Sequence, residues 1–203
     1  MDPIDTRSHG LRILAPDRPG VGESDPILGR GLLDWPTDVV QLADELDVDE
    51  FAVIGVSGGG PYALACAYTI PERLTAVTIV SGVAPLDTPD AIGEISLIEQ
   101  LPIRTSRRSP RISRCFLGDV AEEYRVCGEP WGFDVVDIAL DIDVWYGTRD
   151  WSLSAYHATI IASQLPNATL HTLPNTSHLG SVANHNNEIL ASLTRSMRSE
   201  SLT

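Results

Sequence analysis

The chain has 203 residues, 43% of them hydrophobic, and a formal net charge of −14. That length and apolar content suit one domain over 1–203 and exclude a disordered chain. Acidic groups are scattered with no basic stripe to track phosphates, which excludes nucleic acid as a partner and favours a small substrate that is neutral or weakly charged. No apolar run reaches the roughly 18 residues of a membrane span. The start, Met1-Asp2-Pro3-Ile4-Asp5-Thr6-Arg7, lacks the apolar core of a signal peptide, so the expected location is the cytoplasm. Cys66, Cys115 and Cys127 follow no metal-ligand spacing and read as packing residues.

In chain order, Leu11-Arg12-Ile13-Leu14-Ala15 predicts a short strand, followed by the turn-rich run from Pro16 to Pro26. Asp34 and Pro36 mark the start of a helix whose Val39, Ala43 and Leu46 form a core-facing stripe. Phe51 to Val56 reads as a buried strand, Pro61 to Ile70 as an Ala- and Leu-rich helix, and Leu74 to Ser81 as another strand. This alternation predicts a parallel sheet with right-handed crossovers. From 86 to 129 the pattern breaks into short apolar pieces between Pro89, Gly93, Pro102, Pro110 and Gly118, as expected of a short helical cap inserted over the sheet. Its Arg104, Arg107, Arg108, Arg111 and Arg114 read as a solvated face. Strand signals resume at Ile138 to Tyr146, then a helix from Ser154 to Leu165, a strand from Thr169 to Leu173 and a last helix from Asn187 to Met197.

The chemistry is concentrated where strands end. Gly55-Val56-Ser57-Gly58-Gly59 is a Gly-x-Ser-x-Gly turn between strand and helix, which presents Ser57 at the sheet's edge with helix N-terminal amides behind it. A dinucleotide fingerprint would need Gly in place of Ser57, and a Walker loop would need a Lys that the sequence lacks. A serine hydroxyl needs a base to take its proton and a carboxylate to orient that base. Asp150, in the turn after the Ile138 strand, is the candidate carboxylate; its alternative role is to cap the next helix. Asp87 is the reserve. Among the histidines only His178 falls on a post-strand loop; His9, His157, His171 and His185 sit before or within regular elements.

Ala15 to Asp25, the Ser57 turn, Tyr146-Gly147-Thr148-Arg149-Asp150 and Asn175-Thr176-Ser177-His178 together resemble the α/β-hydrolase fold family, in particular its small bacterial esterase-like and proline-iminopeptidase-like members. The order Ser, Asp, His is the order of that fold. The resemblance implies an open, mostly parallel sheet with helices on both faces, no metal or organic cofactor, and Asp17-Arg18-Pro19-Gly20 as a brace for the loops around the site. It also implies a serine hydrolase acting on a small ester, thioester or amide through an acyl-enzyme, with Ser57 as nucleophile, His178 as base and Asp150 orienting it. The backbone N–H of Gly58 supplies one oxyanion donor. In the family, further strands and a His-Gly loop supplying the second donor precede the Asp-Arg-Pro-Gly turn, so the chain reads as N-terminally truncated and its activity is expected to be weak. The sheet edge so exposed would invite a second copy to pair there. Two other functions fit the same residues: an inactive remnant of the fold that serves as a binding protein, and a cofactor-free perhydrolase that accepts peroxide.

Overall fold

The computed structural model describes residues 8–86, 89–96, 100–104 and 120–200. Strands β1 (Phe51–Val56), β2 (Leu74–Val80), β3 (Ile142–Gly147) and β4 (Ala168–Leu173) form a sheet in the order β1-β2-β3-β4. Every pair is parallel, with Val56 opposite Val80, Val80 opposite Trp145 and Gly147 opposite Leu173. The C-terminal ends of all the strands therefore lie along one edge, and each connection must cross back over a face.

Helices supply those crossovers. Helix α1 (Trp35–Glu45) precedes β1, α2 (Gly60–Thr69) links β1 to β2, and the short α3 (Pro89–Gly93) and α4 (Val120–Gly128) belong to the segment between β2 and β3. Helix α5 (Ala155–Gln164) links β3 to β4, and α6 (His178–Ala183) and α7 (Asn186–Glu200) follow β4. Because side chains alternate along a strand, Val77, Ile79, Ile142 and Val144 share one core with α2 and α5. Ala76, Val80 and Trp145, one residue out of phase, meet Ile189, Leu190 and Leu193 of α7 on the other face. Helix α2 is buried from Gly60 to Ala67, which explains its run of small apolar residues. Among the described residues no helix is long and apolar enough to cross a membrane.

Three expectations need correction. Leu11 to Ala15 form no strand: the segment does not pair with the free edge of β1. Ile13 and Leu14 there are exposed, and Leu11 alone packs near Ala52 and Met197. The Ile138 strand starts four residues late, at Ile142, because Val135–Asp137 form a 3-10 turn that Ile138 terminates. Asp34 precedes α1, but its carboxylate accepts from Gly31 N (2.8 Å) and so closes the preceding turn instead of capping the helix. Asp87, Arg107, Arg108, Arg111, Arg114 and Cys115 lie outside the described residues; Arg104 is exposed, and Cys66 and Cys127 are buried.

Candidate active site

Ser57 stands where β1 turns into α2. Its φ of 53° is left-handed, a conformation that costs a non-glycine residue about 1–3 kcal/mol and persists only when neighbours enforce it. They do. A Cβ on Gly55 would lie 2.6 Å from Gly59 O and 2.7 Å from the Ala63 methyl, so only glycine lets β1 approach α2 this closely. Val83 N donates to Ser57 O (3.3 Å), and Cys127 Sγ of α4 donates to Gly58 O (3.7 Å), which ties the turn to the end of β2 and to α4. Among the described residues the non-glycine positions with positive φ are Asp47, Ser57, Ser81 and Asn175. Ser57 and Ser81 follow β1 and β2 directly and Asn175 comes two residues after β4, so backbone strain collects at one edge of the sheet.

Asp150 and His178 meet at that edge. His178 Nδ1 donates to Asp150 Oδ2 (2.7 Å), while Asp150 Oδ1 accepts from the amides of Ser152 and Leu153 (3.0 Å each). The carboxylate thus contacts the imidazole through one oxygen and closes the turn before α5 through the other. Burial pushes the Asp150 pKa up, but hydrogen bonds from His178, Leu153 N and Ser81 outweigh it and hold the carboxyl below its ordinary range. An ionised Asp150 fixes the proton of His178 on Nδ1, which leaves Nε2 as a proton acceptor.

The route of the chain after β4 explains how His178 reaches Asp150. Neighbouring strands are about 4.8 Å apart, so β4 and β1 are separated by about 14 Å. The segment 174–178 folds back over β3: Arg149 N donates to Thr176 O (2.9 Å), Asn175 N donates to Thr148 Oγ1 (2.8 Å), and a side chain on Gly147 would overlap the Thr176 carbonyl. Helix α6 continues to the end of β2, where Ser81 Oγ meets Ser181 Oγ (3.3 Å). The residues just after β2 therefore touch Ser57 on one side and the His178 segment on the other. His178 itself is the first residue of α6, capped by Ser177, and not a loop residue as the sequence suggests.

Other polar groups near this edge were not legible as functional. His157 of α5 is 1% exposed; Ala84 N donates to its Nδ1 (3.2 Å), which places the proton on Nε2, where it has no partner among the described residues. Burial lowers its pKa to about 4 against the opposing pull of Glu94 and Asp150. Arg18 Nε pairs with Glu123 Oε2 (2.8 Å), Arg30 pairs with Glu123 Oε1, and Arg30 Nη1 donates to Tyr62 Oη (2.8 Å), so α4, α2 and the Asp17 turn are joined by one buried network. The spacing of Glu122, Arg125 and Glu129 signals their helical pairs in sequence, but nothing local announces Arg30 with Glu123. Burial pushes the thiols of Cys66 and Cys127 up to about 12 and 11, which makes them inert as nucleophiles.

A cleft of about 640 Å³ lies elsewhere, between Pro85, Trp131, Phe133, Val135 and Gln164. Neither Ser57, Asp150 nor His178 lines it, and the hydrogen-bond geometry of those residues is the better guide to chemistry.

Residues 3–99 match the family model of the alpha/beta hydrolase fold. An uncharacterized hydrolase, YcgS, of Bacillus subtilis (strain 168) is 35% identical over 92 residues, which are 43% of this chain and 32% of that protein. A non-heme chloroperoxidase of Streptomyces lividans is 40% identical over 81 residues, 39% of this chain and 29% of that one. The matched segment thus spans about a third of the length of these curated relatives. Among solved structures, a thermophilic esterase from Thermogutta terrifontis superposes with a TM-score of 0.65 at 21% identity, over 88% of this chain and 78% of that one. With its parallel sheet, its strained serine turn and these likenesses, the chain has the alpha/beta hydrolase fold.

Proposed function

We propose that the protein is a serine hydrolase that cleaves a small ester, thioester or amide through an acyl-enzyme on Ser57. The observation that carries this reading is the His178–Asp150 pair at the sheet edge where Ser57 occupies its left-handed turn. In the proposed cycle Ser57 Oγ attacks the acyl carbon and its proton passes to His178 Nε2. The oxyanion that forms accepts the N–H of Gly58 at the head of α2. The bond to the leaving group then breaks as His178 returns the proton to that group. Water attacks the acyl-enzyme, again giving a proton to His178, and Ser57 is released with the acid product. Asp150 stays ionised and stabilises the imidazolium that forms twice per turnover. The 86–129 segment is proposed as the cap over this edge, a reading supported by the contact of Cys127 with Gly58. Trp151 and Leu179, the residues after Asp150 and His178, are 70% and 80% exposed and favour an apolar substituent on the substrate.

Turnover of p-nitrophenyl acetate tests this mechanism. His178→Ala and Asp150→Asn are each expected to lower kcat by at least about 10³-fold with little change in KM, since both act on the transition state. Variants that keep wild-type turnover would refute the assignment. The likeness to the Streptomyces chloroperoxidase supports a second reading, in which hydrogen peroxide replaces water in the deacylation step and the product is a peracid. Peracid formed from an ester and peroxide only when Ser57 is intact would establish it.

A further inference from the structure

Between β4 and α6 the chain depends on one side chain. Thr176 is buried, and its hydroxyl both donates to Pro174 O (3.1 Å) and meets His185 Nε2 (3.0 Å). Its carbonyl receives Arg149 N from the Asp150 turn. Thr176 is thus where the two segments that carry Asp150 and His178 are joined, two residues before His178. His185 lies in the turn between α6 and α7, and its Nδ1 contacts Glu188 Oε2 (3.0 Å). The Thr176 hydroxyl is therefore the hydrogen-bond partner of His185 Nε2. A carboxylate only accepts, so Nδ1 donates to Glu188.

Resting on the reading of His178 as the base, we infer that His185 is a positioning residue: through Thr176 it fixes the segment that presents His178 to Asp150. It touches neither Asp150 nor His178 in any contact described above, so its effect runs through the orientation of the backbone at 176–178. Glu188, on the first turn of α7, holds the imidazole from its far side and sets the direction in which Nε2 faces Thr176.

Four variants test the assignment: Thr176→Val, His185→Ala, His185→Asn and His185→Gln. The Asn amide can occupy the place of Nδ1 but is too short for Thr176, whereas the Gln amide can reach the place of Nε2. Thr176→Val, His185→Ala and His185→Asn are expected to lower kcat on p-nitrophenyl acetate about tenfold with KM changed less than about twofold, and His185→Gln to restore most of the loss. In parallel, the proton NMR signal of the His178 Nδ1–H held by Asp150 should broaden or vanish in the first three and return in His185→Gln. Thermal midpoints, taken alongside, separate this from simple unfolding. Wild-type kcat and an unchanged His178 signal in His185→Asn would overturn the inference, as would equal impairment of His185→Gln and His185→Asn. If the wild-type protein shows no esterase turnover, the hydrolase reading fails instead, and the NMR series alone then decides the role of His185.

Discussion

His157 is a buried imidazole held neutral by its surroundings. Ala84 N occupies the lone pair of Nδ1, and protonation would place a charge where burial lowers the pKa from 6.5 to about 4. The unfolded chain takes up a proton near pH 6.5 and the folded chain does not until about pH 4, so stability present above pH 6.5 is lost as pH falls between these values. The loss is expected to total about 3 kcal/mol, measured by urea unfolding across that range. His157→Gln, whose carbonyl can still accept from Ala84, should flatten that part of the profile; a profile identical to wild type would show that His157 does not titrate this way. The positions of Ser57, Asp150 and His178 after β1, β3 and β4 were readable in the sequence because short local signals mark each strand end; their catalytic roles are proposed. His157 was not, because the amide that fixes its tautomer is 73 residues away.

At the scale of elements, α4 is attached to the rest of the fold through charge as well as through Val126 and Cys127 in the core. Glu123 takes hydrogen bonds from Arg18, Arg30 and Tyr62, and the Arg30 side chain is 2% exposed. Removing the carboxylate would leave a buried guanidinium unpaired, at a cost of about 3–5 kcal/mol, whereas an exposed pair contributes less than about 1 kcal/mol. Glu123→Gln is therefore expected to lower the unfolding free energy by about 3 kcal/mol, and Asp44→Asn, which removes the surface partner of Arg73, by less than about 1 kcal/mol. Equal small effects would mean that Glu123 is not the tie between α4 and α2. The helices α1, α2, α5 and α7 and the strands β1, β2 and β4 were legible from periodicity and turn residues. The Leu11 segment failed because strand propensity describes a fit to neighbours, and of its apolar residues only Leu11 finds one while Ile13 and Leu14 stay exposed. The start of β3 failed because Ile138 and Leu140 are apolar for packing in the core that α5 and the 131–135 segment share, a demand that sequence alone does not separate from pairing.

Across the whole molecule, a net charge of −14 sets up a negative field that a substrate must enter. For paired p-nitrophenyl esters of similar size, kcat/KM is expected to be higher for a neutral acyl group than for one bearing a carboxylate, with the gap narrowing as salt is raised from about 10 to 500 mM. A preference for the anionic ester would point to a local cationic pocket and contradict this reading. The central claim is that Ser57 is an activated nucleophile. A fluorophosphonate probe applied to the folded protein, followed by peptide mass spectrometry, tests it most directly. A covalent adduct on the peptide containing Ser57, absent in Ser57→Ala and strongly slowed in His178→Ala, is the expected result; a folded protein that stays unlabelled, or that is labelled equally in Ser57→Ala, would contradict it.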